Sequence, residues 1–194
     1  MSKQLIQSRN DCLASKRRFL KMMACGSLLI LNEPRILHAE AQGISSRKTL
    51  ALKHAHTGDQ LKLTYFEHGL YIEDALQEIS YLLRDYHTGG IYPIDPALLD
   101  QLYDLKLALG IDKAFDVTSG YRCLRTNTGL RKRRRGVAKH SLHMQGRAID
   151  FRVDGISTGQ VRNAALAMRR GGVGYSPRSD FVHLDTGNFR TWQI

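Results

Sequence analysis

Ser141-Leu142-His143-Met144-Gln145-Gly146-Arg147-Ala148-Ile149-Asp150 is the stretch on which the reading of this chain turns. It follows the pattern Ser-x-His-x-x-Gly-x-Ala-x-Asp, in which a turn glycine separates an imidazole from a carboxylate. A spacing of seven would also place His143 and Asp150 on one face of a helix. Gly146 and the alternation Ile149, Phe151, Val153 favour a loop running into a strand. On that strand Ala148, Asp150 and Arg152 share a face, so Asp150 projects from a rigid element while His143 approaches it from the loop.

Downstream, Phe181-Val182-His183-Leu184-Asp185-Thr186-Gly187 supplies a second imidazole. In an extended segment His183 and Asp185 lie on one face, about 6.8 Å apart, while Val182 and Leu184 point to the core. Two histidines and a carboxylate suit a catalytic zinc, which takes three protein ligands and leaves a fourth position for water, bringing its acidity toward neutrality. Taken singly, His143, Asp150 and His183 read as satisfied polar residues. In this order, with the glycine between the first two, they read as metal ligands.

Working outward, Leu61 to Phe66 alternates as an edge strand, and residues 42–60 before it are polar and mixed. Tyr71 to Tyr86 carries Ile72, Ala75, Leu76, Ile79, Leu82 and Leu83 at helical spacing and stops before Gly89-Gly90. A second helix is expected from Pro96 to Leu109 and a third from Ser157 to Arg170. Phe115 to Ser119, Arg147 to Val153 and Asp180 to Leu184 read as short strands. Helices early and strands late give an α+β class, with a small antiparallel sheet and helices packed on it. At 194 residues and 42% hydrophobic content, the chain can build one core.

The chain has 29 Lys/Arg against 18 Asp/Glu, a net charge of +11, which points to an anionic partner: nucleic acid, phospholipid or cell wall. The amino terminus chooses among them. Ser15-Lys16-Arg17-Arg18-Phe19-Leu20-Lys21 leads into the apolar run Met22 to Leu31, and Ala39-Glu40-Ala41 offers small residues two apart. Together these describe an export signal over residues 1–41, cleaved near Ala41. The basic stretch resembles a twin-arginine signal with Lys16 in the first arginine position; general secretion is the alternative. An uncleaved anchor needs about 20 apolar residues, roughly twice what is present, so no membrane span is expected after processing. Cys25 has a poor lead-in for lipidation. Cleavage leaves 22 Lys/Arg against 15 Asp/Glu and a single cysteine, Cys123, so the fold must rest on its core without an internal disulfide. Export also argues against nucleic acid, and the run Arg131 to Arg135 reads as a solvated face.

Five segments in order resemble the M15 group of zinc D-alanyl-D-alanine peptidases, and more particularly its exported murein endopeptidase branch, formerly of unknown function. They are Ser119-Gly120-Tyr121-Arg122, Gly136-Val137-Ala138, Ser141 to Asp150, Gly171-Gly172-Val173-Gly174-Tyr175 and Val182 to Gly187. The resemblance covers nearly all of residues 42–194. It implies the α+β fold shared with hedgehog signalling domains, Zn2+ held by His143, Asp150 and His183, and peptidoglycan peptide stems as substrate.

Two departures bear on the chemistry. The better-known carboxypeptidases place a glutamate base three residues before the last ligand histidine, where this chain has the shorter Asp180. Asp185, in the His-x-Asp segment, is the other candidate base and the preferred one. Cys123 replaces an expected serine and reads as a small core residue. Arg122 is expected to hold a substrate carboxylate or the oxyanion that forms on attack, against the alternative of a salt bridge to a strand carboxylate. Tyr121 and Ser141 are expected to line the peptide groove, and His140 reads as an exposed loop residue. The function these readings imply is a zinc endopeptidase cutting peptidoglycan cross-links in the periplasm, reached through the export machinery. A non-catalytic zinc-containing peptidoglycan-binding module is the alternative.

Overall fold

Alternating apolar side chains build a sheet whose two faces do different work. The computed structural model describes residues 47–133 and 136–194. The expected export signal, like Arg134 and Arg135 of the basic run, lies outside the described residues. The strands are β1 (Lys48–His54), β2 (Gln60–Glu67), β3 (Leu70–Tyr71), β4 (Phe115–Ser119), β5 (Ala148–Val153), β6 (Gly172–Ser176), β7 (Phe181–Asp185) and β8 (Arg190–Gln193). The helices are α1 (Glu73–Leu82), α2 (Pro96–Leu109), α3 (Leu124–Arg133) and α4 (Thr158–Ala167).

The α+β class stands, but the small antiparallel sheet does not. The eight strands run in the order β3-β2-β1-β4-β5-β7-β6-β8, and two neighbours, β1 with β4 and β6 with β8, are parallel. Four strands escape the sequence reading for separate reasons, and β3 is only two residues long. β1 lies in the stretch read as polar and mixed, although Leu50, Leu52 and His54 alternate inward. β6 is diluted by Gly172 and Gly174, which weaken a strand signal, and β8 is a short terminal strand. β2 is not the edge, because β3 pairs outside it.

Helix ends follow local chemistry. Asp95 accepts a hydrogen bond from the Ala97 amide at 2.9 Å, Pro96 opens α2, and Gly110 closes it in the left-handed region at φ 63°. Ser157 and Gln160 form a capping box at the start of α4. The first helix ends at Leu82, before the expected Tyr86, because Asp85 organises a turn there: its amide bonds Gly90 and its carbonyl accepts from Gly89. Ile79, Leu98, Leu99, Leu102, Leu105, Val161 and Ala165 of the helices pack against Leu50, Leu52, Phe115, Val117, Ile149, Phe151, Val182 and Leu184 of the sheet. Each large aliphatic side chain so buried contributes about 1.5–3 kcal/mol. Among the described residues no helix is long and apolar enough to cross a membrane.

Candidate metal centre

Strand register brings the first two donors together. β5 and β7 are antiparallel, with Asp150 directly opposite His183, and Ser119 of β4 opposite Asp150 on the other side. Because side chains alternate, Ile149, Phe151, Val182 and Leu184 enter the core, while Asp150, His183 and Asp185 gather on the opposite face. His143 arrives from a single 3-10 turn, Leu142–Gln145, closed by Gly146 at φ 64°. The Gly146 carbonyl accepts from the Asp95 amide at 2.9 Å, and a Cβ at this position would lie 2.1 Å from the Pro93 carbonyl oxygen. Neither backbone can yield, so Gly146→Ala is expected to cost ~2–4 kcal/mol in urea denaturation, from the left-handed φ and the clash together. A loss within the ±0.5 kcal/mol of an ordinary surface change would show that the turn is not pinned.

The three side chains meet at short range. His143 Nε2 is 3.2 Å from Asp150 Oδ1 and 3.2 Å from His183 Nδ1, and His183 Nδ1 is 2.7 Å from the same Asp150 oxygen. All three residues are buried. Their outer atoms decide what faces inward. His143 Nδ1 lies 2.7 Å from the Gly120 carbonyl oxygen, which can only accept, so the imidazole proton sits on Nδ1. His183 Nε2 lies 3.0 Å from Asp185 Oδ2, which places its proton on Nε2. Both inner nitrogens then carry lone pairs aimed at each other and at a carboxylate oxygen. That arrangement repels itself unless positive charge lies at its centre, and all three donor atoms fall within 4.8 Å of one another. Two imidazoles and a carboxylate fit zinc or a similar divalent transition ion.

Burial pushes the His143 imidazole down to about 4, against the opposing pull of Asp150, so its lone pair stays available at neutral pH. Burial works against ionisation of Asp150, but the neighbouring imidazoles outweigh it and hold the carboxyl well below the usual range. Burial likewise lowers His183, and the neighbouring Asp150 and Asp185 carboxylates overcome it and raise the group by favouring its charged form.

Of the two carboxylates expected to serve as base, neither offers a free oxygen to this cluster. Asp185 is fully buried. Its Oδ1 accepts from the Gly172 and Gly187 amides at 3.1 and 2.8 Å and from Arg190, and its Oδ2 is taken by His183 and by Arg190 at 2.6 Å. Asp180 is not brought to the cluster at all. It sits three residues before His183, hence on the opposite parity, in a turn at φ 50°. Its carboxylate accepts from Thr158 Oγ1 at 2.9 Å and lines a separate cavity with Lys53, Asp116 and Arg152.

Arg122 is at the centre. Its amide donates to the His143 carbonyl at 3.1 Å, and its Nη2 lies 3.4 Å from Asp150 Oδ2. Ser141 is buried in the cleft wall, and the exposed His140 lines the same cleft. Tyr121 stacks on Tyr92, with ring centroids 5.1 Å apart, and lines the cleft beyond Arg122.

Several contributors had no clear mark in the sequence: the Gly120 carbonyl, Asp85, Arg190 and Trp192. Asp85 is buried and accepts from the His87 and Cys123 amides at 3.0 and 2.9 Å, which fixes the chain beside Arg122. Burial works against its ionisation, but hydrogen bonds from Thr126, Cys123 and His87 win and lower its pKa. A depressed carboxylate stabilises the fold above its ordinary pKa of 3.8 and loses that contribution as pH falls through the lower folded value. Asp85→Asn is therefore expected to cost about 1–3 kcal/mol at neutral pH, with the gap to the native protein closing in acid. Thermal melts across pH check both parts. Arg190 and Trp192 leave one faint signal, an Arg-x-Trp pair soon after His-x-Asp, in which the tryptophan is the only one in the chain.

The family model described as peptidoglycan L,D-endopeptidase MepK matches residues 42–192. The peptidoglycan L,D-endopeptidase MepK of Escherichia coli (strain K12) is 48% identical over 145 residues, 75% of this chain and 80% of that protein. The Shigella flexneri protein of the same name matches to the same extent. The probable peptidoglycan L,D-endopeptidase MepK of Haemophilus influenzae is 38% identical over 147 residues, 75% of this chain and 79% of that one. With the match running through every element that builds the cluster, the chain belongs to the peptidoglycan L,D-endopeptidase MepK family of M15-type peptidases.

Proposed function

We propose that this chain hydrolyses peptidoglycan cross-links at an amide between an L-centre and a D-centre, with zinc held by His143, Asp150 and His183. The observation that carries the reading is the convergence of two imidazole lone pairs and a carboxylate in a cleft. The relatives' names supply the substrate class, and the donor set supplies the chemistry. When bound, the metal acts as a Lewis acid and makes a water nucleophilic near neutral pH.

The chain's own residues do the rest. Arg122, partly buried beside Asp150, stands ready to hold a substrate carboxylate or the negative charge that develops on the attacked carbonyl. Asp185 acts through His183, keeping its proton on Nε2 and its ring aimed inward. Gly120 does the same for His143 through its carbonyl. Tyr121 and Ser141 shape the groove. The substrate places the working enzyme in the periplasm, and residues 1–41 are the segment that export would use.

The test is metal content and wall digestion on one preparation. Roughly one zinc per chain is expected, with new fragments released from intact sacculi, release stopping on treatment with a chelator and returning with added zinc. Protein without metal, or release indifferent to the chelator, sinks the metal reading. Zinc without any release would leave a wall-binding module.

A further inference from the structure

The cleft has two arms that meet at Arg122, Leu130, Asp150 and Phe181. One, of about 250 Å³, is walled by His56, Tyr86, His87, Thr118, Ser119 and Thr126. The other, of about 180 Å³, brings Val137, Ala138, Leu142, Trp192 and Ile194 beside His140, Ser141 and Arg190. A substrate lying across the candidate metal centre therefore meets the indole of Trp192 on one side only.

We propose that Trp192 is a specificity residue: its indole is the surface against which an aliphatic side chain of the cross-linked peptide packs as the scissile amide is held at the metal centre. The proposal rests on the peptidoglycan reading above. Its basis is one row of residues across four strands. Trp192 of β8 pairs with Gly174 of β6, which pairs with His183 of β7, which pairs with Asp150 of β5. With no side chain at Gly174, the indole leans across to the imidazole, ring centroids 5.1 Å apart. A Cβ at 174 would stand 2.8 Å from indole Cε2 and Cζ2 and 3.0 Å from the His183 Cβ, so the glycine makes this approach possible.

Arg190 locks the ring from the side. Its guanidinium lies 4.9 Å from the indole centroid while its nitrogens hold Asp185. A rigid aromatic that still borders the cleft loses little freedom on binding and offers a broad apolar surface, which suits an anchor for an aliphatic chain.

Kinetics and emission test this together. On a purified cross-linked muropeptide dimer, Trp192→Ala is expected to raise KM about tenfold while kcat stays within roughly threefold, with zinc content unchanged and Trp192→Phe close to the native values. Trp192 is the sole tryptophan, so its emission in the zinc-loaded chain is expected to shift and saturate on titration with an uncross-linked muropeptide monomer, which has no cross-link to cut. An unaltered KM in Trp192→Ala, or emission indifferent to the monomer, overturns the proposal. So does loss of zinc and kcat together, which would make the indole a buttress for His183. Binding with an emission shift in a native enzyme that never cleaves the dimer would overturn the peptidase reading and leave this one standing.

Discussion

His143→Ala is expected to lose zinc and cross-link cleavage together, with kcat/KM falling at least about a thousandfold, equivalent to roughly 4 kcal/mol of transition-state stabilisation. The deleted imidazole supplies one of three donors, and it is the only one carried by the loop; Asp150 and His183 are a cross-strand pair that remains in place. Two donors hold a divalent ion poorly. Elemental analysis, muropeptide release and far-ultraviolet dichroism on the same sample are the measurements. A folded variant that kept both zinc and cleavage would remove His143 from the site.

Asp185→Asn carries the second large effect and separates two roles for one residue. In the structure this carboxylate takes hydrogen bonds from His183, Arg190 and two backbone amides, and these bonds, outweighing burial, hold its pKa well below the usual range. The amide keeps the shape but loses the charge that fixes the His183 tautomer and pairs with Arg190. Metal affinity is expected to drop about 10–100-fold, the usual consequence of removing an outer partner of a ligand histidine, as read by competition with a chromogenic chelator. Activity should return when zinc is supplied well above the weakened dissociation constant. Failure of excess zinc to restore kcat, with the metal bound, would instead make Asp185 the group that moves the proton.

The same particulars mark where sequence reading ends. Helix α2 was legible to the residue, because an Asp-Pro start and a Gly stop are local signals that tertiary contacts did not need to override. The first helix was read as too long, since the turn that ends it depends on Asp85 and its long-range bond to Cys123. β6 was hidden by its glycines, yet Gly174 is a glycine because of what crosses it, and nothing near it in the chain says that Trp192 arrives there. Asp180 and Asp185 flank His183 in sequence, and only the strand's parity and the bonds around each carboxylate tell them apart.

Local sequence by itself determined the strand alternation that sends Asp150 and His183 to one face, the turn glycine that lets His143 approach, and the order of residues that marks the candidate metal centre. These depend on dihedral preference and on a period of two, both properties of neighbouring residues. Tertiary structure alone decided the mixed eight-stranded order, the register that sets Asp150 against His183, the outer partners that choose each imidazole's proton, and the approach of Trp192. Those depend on which distant strands pair, a choice made by burial of the whole core and not by any segment within it.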